Sequence, residues 1–201
     1  MMKKIFVVGG MGAGKSTARK ALVDEGLPYI DLDEVGHEVL KWDTVKEELA
    51  ATFGDDVIGE DGEVVRNLVA ARAFVSPADT RKLNRITMPR IEEVYQDRLA
   101  ELEAAGAPAV VVEYSVFKNR EMSLAYSADV VLAVLAPLDL RVERAVASGF
   151  DEADVRRRIA RQITDADRIE ASDVVFNNDG TPEELRNKVL AWWEGYKASV
   201  G

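Results

Sequence analysis

The segment at residues 9–17, GGMGAGKST, constrains this chain more than any other. It follows residues 3–8, KKIFVV, a β-branched and aromatic run short enough for a buried strand. It precedes residues 18–26, where Ala21, Leu22 and the stem of Lys20 are expected to cover one helical face. Strand, glycine-rich turn and helix form the context that the motif G-x-x-x-x-G-K-S/T requires. Gly9, Gly14, Lys15 and Ser16 fill its fixed positions. Glycines let the backbone curl and approach a ligand closely. The curl turns successive N–H groups inward and the helix adds its positive end, so fixed dipoles hold a polyphosphate. Lys15 is expected to reach the terminal phosphates. The Ser16 hydroxyl is expected to take one place on Mg²⁺, which demands oxygen ligands.

Composition narrows the partners. A length of 201 residues with 47% hydrophobic residues predicts one domain with a full core. The absence of cysteine excludes disulfides and thiolate metal sites and fits a reducing cytoplasm. No run of about 18 apolar residues occurs, so no membrane span is expected. The first residues lead straight into the strand, and no secretory h-region is expected. The net charge of −10 repels nucleic acid and anionic lipid. Phosphate binding must therefore come from local cations and backbone amides.

Further along, residues 28–31, PYID, read as a second strand ending in carboxylates, with a helix opening at residues 31–34. Val45, Leu49 and Phe53 continue helically to Gly54, and residues 55–63 read as an acidic surface loop. A helix is expected from residues 64–66 through Phe74, and Ser76-Pro77 signals another start. Pro89 is expected to open a long helix carrying Ile91, Val94, Tyr95, Leu99 and Leu102, closed by Gly106. Residues 109–112 and 129–136 are continuous apolar runs of the kind buried in parallel sheets. Helix is expected at 137–147 and, in two pieces, at 151–171. A last strand covers 172–176, and Thr181-Pro182-Glu183-Glu184 is a capping box opening a C-terminal helix. Strands alternating with helices predict an α/β three-layer fold.

In such sheets ligands sit at the carboxyl ends of the strands. Asp31, Asp33 and Glu113 fall there. A small-molecule kinase needs a group to orient the attacking hydroxyl and cations for the transferred phosphoryl. Asp33 is the first candidate base, though acids there also cap helices. Glu113 can hold a Mg²⁺-bound water or be a plain strand end. Arginines cluster at 141, 144, 156, 157, 158, 161 and 168, as a closing lid requires. Some must be plain surface, since adjacent helical residues diverge and Glu152, Asp154, Asp165 and Asp167 are near enough to pair. His37, the single histidine, is expected to be structural or solvent-facing, and Trp42 either an acceptor-site wall or core.

Taken with these residues, the chain resembles the dephospho-CoA kinase family of P-loop small-molecule kinases. The resemblance runs nearly end to end. It rests on VGGMGAGKST at 8–17, YIDLDEVGHEV at 29–39, FGDDVIGEDGEVVR at 53–66, MPRIEE at 88–93, RRRIARQ at 156–162 and ASDVVFNNDG at 171–180. It implies a P-loop NTPase three-layer fold with a parallel five-stranded sheet. A single domain over 1–201 would carry a helical acceptor-side subdomain at about 40–105 and a helical lid at about 139–170. It implies transfer of the ATP γ-phosphoryl to the ribose 3′-hydroxyl of dephospho-CoA, with Mg²⁺. The second Asp of the family's D-x-D falls on Asp33 as base, and its acceptor-side arginine on Arg66. Gly10, Met11, Gly12, Ala13, Gly14, Lys15, Ser16 and Thr17 would bind ATP phosphates, and Asn178 would lie near adenine. Ser16 and Glu113 would hold the metal, with Lys15 and Arg144 catalytic. Three segments depart from the family pattern: Met88 stands where His is usual, EYSVF occupies 113–117, and the lid arginine near Ala147 is missing, with Arg144 closest. Two alternatives share the same loop: a kinase of another acceptor, a nucleotide or sugar acid, and a nucleotide-binding regulator without transfer activity.

Overall fold

The computed structural model describes residues 1–200, with side chains for residues 1–199. The chain divides into two compact units. The first is Met1–Asp31 together with the chain from Leu99 onward, and the second is Leu32–Arg98.

The first unit is built on five parallel strands: β1 (Lys3–Gly9), β2 (Tyr29–Asp31), β3 (Ala109–Tyr114), β4 (Val130–Leu135) and β5 (Val174–Asn177). Their order is β2-β3-β1-β4-β5, every pair parallel. All residues of β3 and β4 are buried, as the unbroken apolar runs predicted. Because side chains alternate across a strand, Ile5 and Val7 of β1 share a face with Val111, Leu132 and Val134. Onto that face pack Ala18, Ala21 and Leu22 of α1 (Lys15–Asp24) and Leu185, Val189 and Trp193 of α9 (Pro182–Val200). Burial of a side chain such as Leu22 contributes about 2 kcal/mol. Lys20, expected on the covered face of α1, instead points to solvent and pairs with Asp24 one turn on (Nζ–Oδ1 2.7 Å). Ala18 takes its place in the core, since a small residue lets the helix approach the sheet.

Sheet order explains where a ligand can sit. β1 lies between β3 and β4; the connection leaving β1 runs to β2 on one side and that leaving β4 runs to β5 on the other. Such a divergence marks the switch point where open α/β sheets leave a crevice. After β4 come α6 (Leu138–Ala147), the helix expected at 137–147, then α7 (Glu152–Ala160) and α8 (Asp165–Glu170), the two pieces expected over 151–171. Thr164 and Asp167 form a reciprocal capping box on α8. Thr181 and Glu184 do the same for α9: the Thr181 N–H donates to Glu184 Oε2 (2.8 Å) and the Glu184 N–H to Thr181 Oγ1 (3.2 Å).

The second unit comprises α2 (Leu32–Val39), α3 (Asp43–Phe53), a 3-10 turn (Asp55–Val57), α4 (Arg66–Ala73) and most of α5 (Pro77–Ala104). Its own core gathers Val39, Val45, Leu49, Phe53, Val57 and Ile86, with Trp42 packed alongside. The acidic segment 55–63 is more ordered than a plain loop, because Ile58 and Val64 bridge in antiparallel fashion. Pro89 does not open a helix. It lies inside α5, which starts twelve residues earlier at the Ser76-Pro77 signal. A mid-helix proline costs about 3 kcal/mol. Burial of Ile86 and Tyr95 on the same helix offsets it, and Arg90 Nη1 donates to the Ile86 carbonyl (2.8 Å) in the disturbed turn.

Candidate active site

The loop between β1 and α1 carries the motif residues. Gly12 and Gly14 have φ of 73° and 105°, the left-handed region that glycine alone enters without penalty. α1 begins at Lys15 with no side-chain cap from Gly14 and no acid in its first turn. The Thr17 and Ala18 N–H groups turn back to the Gly14 carbonyl (3.1 and 3.2 Å), and a helix start with neither a side-chain cap nor an acid keeps its positive end suited to an anion. Lys15 is 9% exposed, its stem against Gly9.

Opposite the loop's outer curve stand side chains from distant segments. Asn178, directly after β5, is buried, and its Nδ2 donates to the Ala13 carbonyl (2.8 Å). A Cβ on Gly14 would strike that amide. The Asn178 Oδ1 is buried with no hydrogen-bond partner. Arg144 donates from Nη1 to the Asn178 carbonyl (3.0 Å) and from Nη2 to the Gly180 carbonyl (3.1 Å). These bonds attach α6 to the turn after β5.

The acidic side is equally defined. β3 places Glu113 beside Asp31 of β2 in register. Glu113 is buried, with Oε1 3.5 Å from the Ser16 hydroxyl. Arg19, one turn into α1, pairs with both acids: Nε to Glu113 Oε2 at 3.1 Å and Nη1 to Asp31 Oδ2 at 3.5 Å. Its guanidinium also lies over the Tyr29 ring, 4.5 Å from the centroid. Sequence reading missed Arg19; its position four residues after Lys15, on the same side of α1, was the available signal. Among the described residues no cluster of three or more His, Cys, Asp or Glu side chains is arranged to hold a metal ion. A hydroxyl and one carboxylate suit an ion that keeps most of its waters and takes phosphate oxygens, which is the habit of Mg²⁺.

Two of the expected residues lie in the second unit. Asp33 is exposed in the first turn of α2, two residues past the end of β2. Arg66 begins α4 and its Nη1 bonds His37 Nε2 (2.8 Å). A guanidinium only donates, so His37 must present a bare Nε2 there. Leu40, Lys41, Glu63 and Val64 complete the walls of a cavity of about 300 Å³ around this pair.

The remaining arginines separate. Arg156, Arg157 and Arg158 are exposed and pair with Glu152 and Asp154 on their own helix. Arg168 is buried against Asp165 (Nη1–Oδ1 2.6 Å). Arg141, 6% exposed, reaches the loop itself. Burial pulls its guanidinium below the usual arginine range, with Asp165 partly opposing the shift. The departure at 113–117 has a packing reason: Tyr114 meets Phe6 and Phe117 edge to face, with centroids 6.4 and 6.2 Å apart.

A parallel sheet ordered 2-3-1-4-5, with a G-x-x-x-x-G-K-S loop at the carboxyl end of its central strand, defines a P-loop kinase. The solved structure of TT1252 from Thermus thermophilus has this fold, with TM-score 0.83 and 27% identity over 96% of this chain and 97% of its own. Dephospho-CoA kinase from Campylobacter jejuni shares the fold at TM-score 0.64 and 17% identity, over 96% and 97% of the two chains. The family model for dephospho-CoA kinase matches residues 4–184. Dephospho-CoA kinase of Corynebacterium efficiens is 41% identical over 187 residues, 92% of each chain. The chain belongs to the dephospho-CoA kinase family.

Proposed function

We propose that this chain transfers the γ-phosphoryl of ATP to the ribose 3′-hydroxyl of dephospho-CoA. The observation that carries the proposal is the uncapped, acid-free start of α1 behind a glycine loop, with Lys15 in place and Glu113 of the neighbouring strand beside Ser16. The loop from Gly10 to Thr17 would hold the phosphates through main-chain amides not already turned back within it, as those of Ala13 and Thr17 are. Lys15 neutralises charge on the transferred group. Asp33 orients the 3′-hydroxyl and accepts its proton as the new O–P bond forms and the bond to the β-phosphate oxygen breaks, releasing ADP. Support for that role is its place just past a strand end that carries Asp31.

Ser16 and Glu113 would hold Mg²⁺, which when bound neutralises phosphate charge. Asn178 would line the nucleobase side, supported by its bond to the loop at Ala13. Arg144 is already engaged at that turn, so acting on the transferred phosphoryl requires it to leave two carbonyls. Arg66 and its cavity would take an anionic part of the acceptor. The unit Leu32–Arg98 would be the acceptor-side subdomain, near the span of about 40–105 expected from sequence, and the helices within about 139–170 the lid. No helix among the described residues is long and apolar enough to cross a membrane. The acidic charge supports a small-molecule substrate over nucleic acid and is compatible with a cytoplasmic setting.

The test is ADP release with Mg-ATP and a panel of acceptors. Stimulation by dephospho-CoA alone is expected. Stimulation by a nucleotide or sugar acid instead, or by nothing, overturns the reading.

A further inference from the structure

We infer that Arg141 and Gln162 are positioning residues for the phosphate loop, fixing the main chain at Met11 from both sides. The inference rests on the reading that this loop binds ATP.

Arg141 sits on α6, and its Nε donates to the Met11 carbonyl (3.0 Å). Its Nη2 donates to Gln162 Oε1 (2.9 Å). The same oxygen of Gln162, from the segment between α7 and α8, accepts the Met11 N–H (3.1 Å). One side-chain oxygen and one guanidinium thus bind both polar main-chain groups of Met11. In a trans peptide the N–H points opposite to the C=O. Holding the Met11 carbonyl on the Arg141 side therefore turns the Gly12 N–H to the other side, into the loop. The Gly10 carbonyl is held in its turn by the Ala13 N–H (3.1 Å).

Packing makes the same point independently. A Cβ on Gly10 would run into the Arg141 guanidinium, and one on Gly12 into the Arg141 main-chain carbonyl. Neither glycine occupies a fixed position of the phosphate-loop motif. Their absence of side chains is explained by the seat they give α6. Asp165, 3.8 Å from Arg141 Nη1, balances the buried charge and links it to Arg168. The loop's shape is thereby tied to the helical stretch after β4, which neither Lys15 nor the motif itself accomplishes.

The experiment compares Arg141→Met, Gln162→Leu and Gln162→Glu in the full chain. It measures KM for ATP and for dephospho-CoA, kcat, melting temperature, and equilibrium binding of a non-hydrolysable ATP analogue. Losing a hydrogen bond to a charged group corresponds to about tenfold in affinity. Arg141→Met and Gln162→Leu are expected to raise the analogue Kd and the ATP KM by about that factor, with KM for dephospho-CoA within about twofold. Gln162→Glu should recover most of what Gln162→Leu loses, since a carboxylate oxygen still accepts from Met11 and Arg141. A lower melting temperature with unchanged analogue affinity in Arg141→Met and Gln162→Leu overturns the inference, as it marks simple packing. If Arg141→Met fails to fold, equal affinity of Gln162→Leu and Gln162→Glu overturns it. Lys15→Ala separates the premise: wild-type analogue binding there means the loop is not the ATP site. Loss there with no loss in the other variants removes only the role of Arg141 and Gln162.

Discussion

The Asn178 amide donates to the Ala13 carbonyl across 2.8 Å, although the two residues are 165 positions apart in the chain. The bond joins the end of β5 to the glycine loop after β1, while the Asn178 Oδ1 is buried without a hydrogen-bond partner. Asn178→Ala removes the donor and strands a loop carbonyl, a loss of about 1–3 kcal/mol. The ATP KM is expected to rise several-fold while KM for dephospho-CoA stays. Chemical denaturation and initial rates measure the two effects; an unchanged ATP KM would separate Asn178 from the nucleotide site.

Asp33 lies exposed in the first turn of α2, where a carboxylate both favours the helix dipole and can accept a proton. Asp33→Asn is expected to lower kcat by about 10²-fold or more, the usual scale for loss of a general base. ATP affinity should hold. Full activity with reduced stability would leave Asp33 as a helix-start residue and nothing more.

Glu113 reaches Ser16 only at 3.5 Å, a distance that suits sharing a hydrated ion better than a direct bond. Glu113→Gln should raise the Mg²⁺ concentration giving half-maximal rate by about 10- to 100-fold, the range for partners that orient metal ligands. Titration of rate against free Mg²⁺ decides it. Because Arg19 would lose its charge partner on β3, the melting temperature should fall as well.

Acid stability offers a test of the helix starts. Hydrogen bonds from Thr164, first from its hydroxyl and then from its backbone, hold the Asp167 carboxyl below its ordinary value, and the Arg168 charge adds to this. A folded-state pKa below the unfolded one gives stabilisation that is complete above the unfolded pKa and disappears as pH falls through the folded value. The urea midpoint difference between wild type and Asp167→Asn should therefore be constant above about pH 5 and close below about pH 4. A difference that persists at the acid end would mean the asparagine acts through something other than charge.

What was legible in the sequence was contiguous. The phosphate loop, the apolar runs of β3 and β4, the Thr181–Glu184 box and the broken helix after Ser148-Gly149 each depend on residues a few positions apart. Their backbone demands and periodicities can be read from neighbours alone. Pro89 shows the limit of that reading, because a local breaker was overridden by burial of Ile86 and Tyr95 on either side. The arginine cluster shows it again: composition set seven candidates side by side, and nothing local distinguished buried Arg141 from solvent-paired Arg157.

By itself the sequence determined that a loop able to grip phosphate would sit between a buried strand and a helix, and that strands and helices would alternate into a covered parallel sheet. Tertiary structure alone decided that β1 runs between β3 and β4, that Glu113 comes beside Ser16, and that Arg141, Gln162 and Asn178 close around the loop's outer curve. The reason is that bond geometry and side-chain period act over a turn or two. Which distant polar groups meet is set by how whole faces bury their apolar surface, and that is a property of the packed chain.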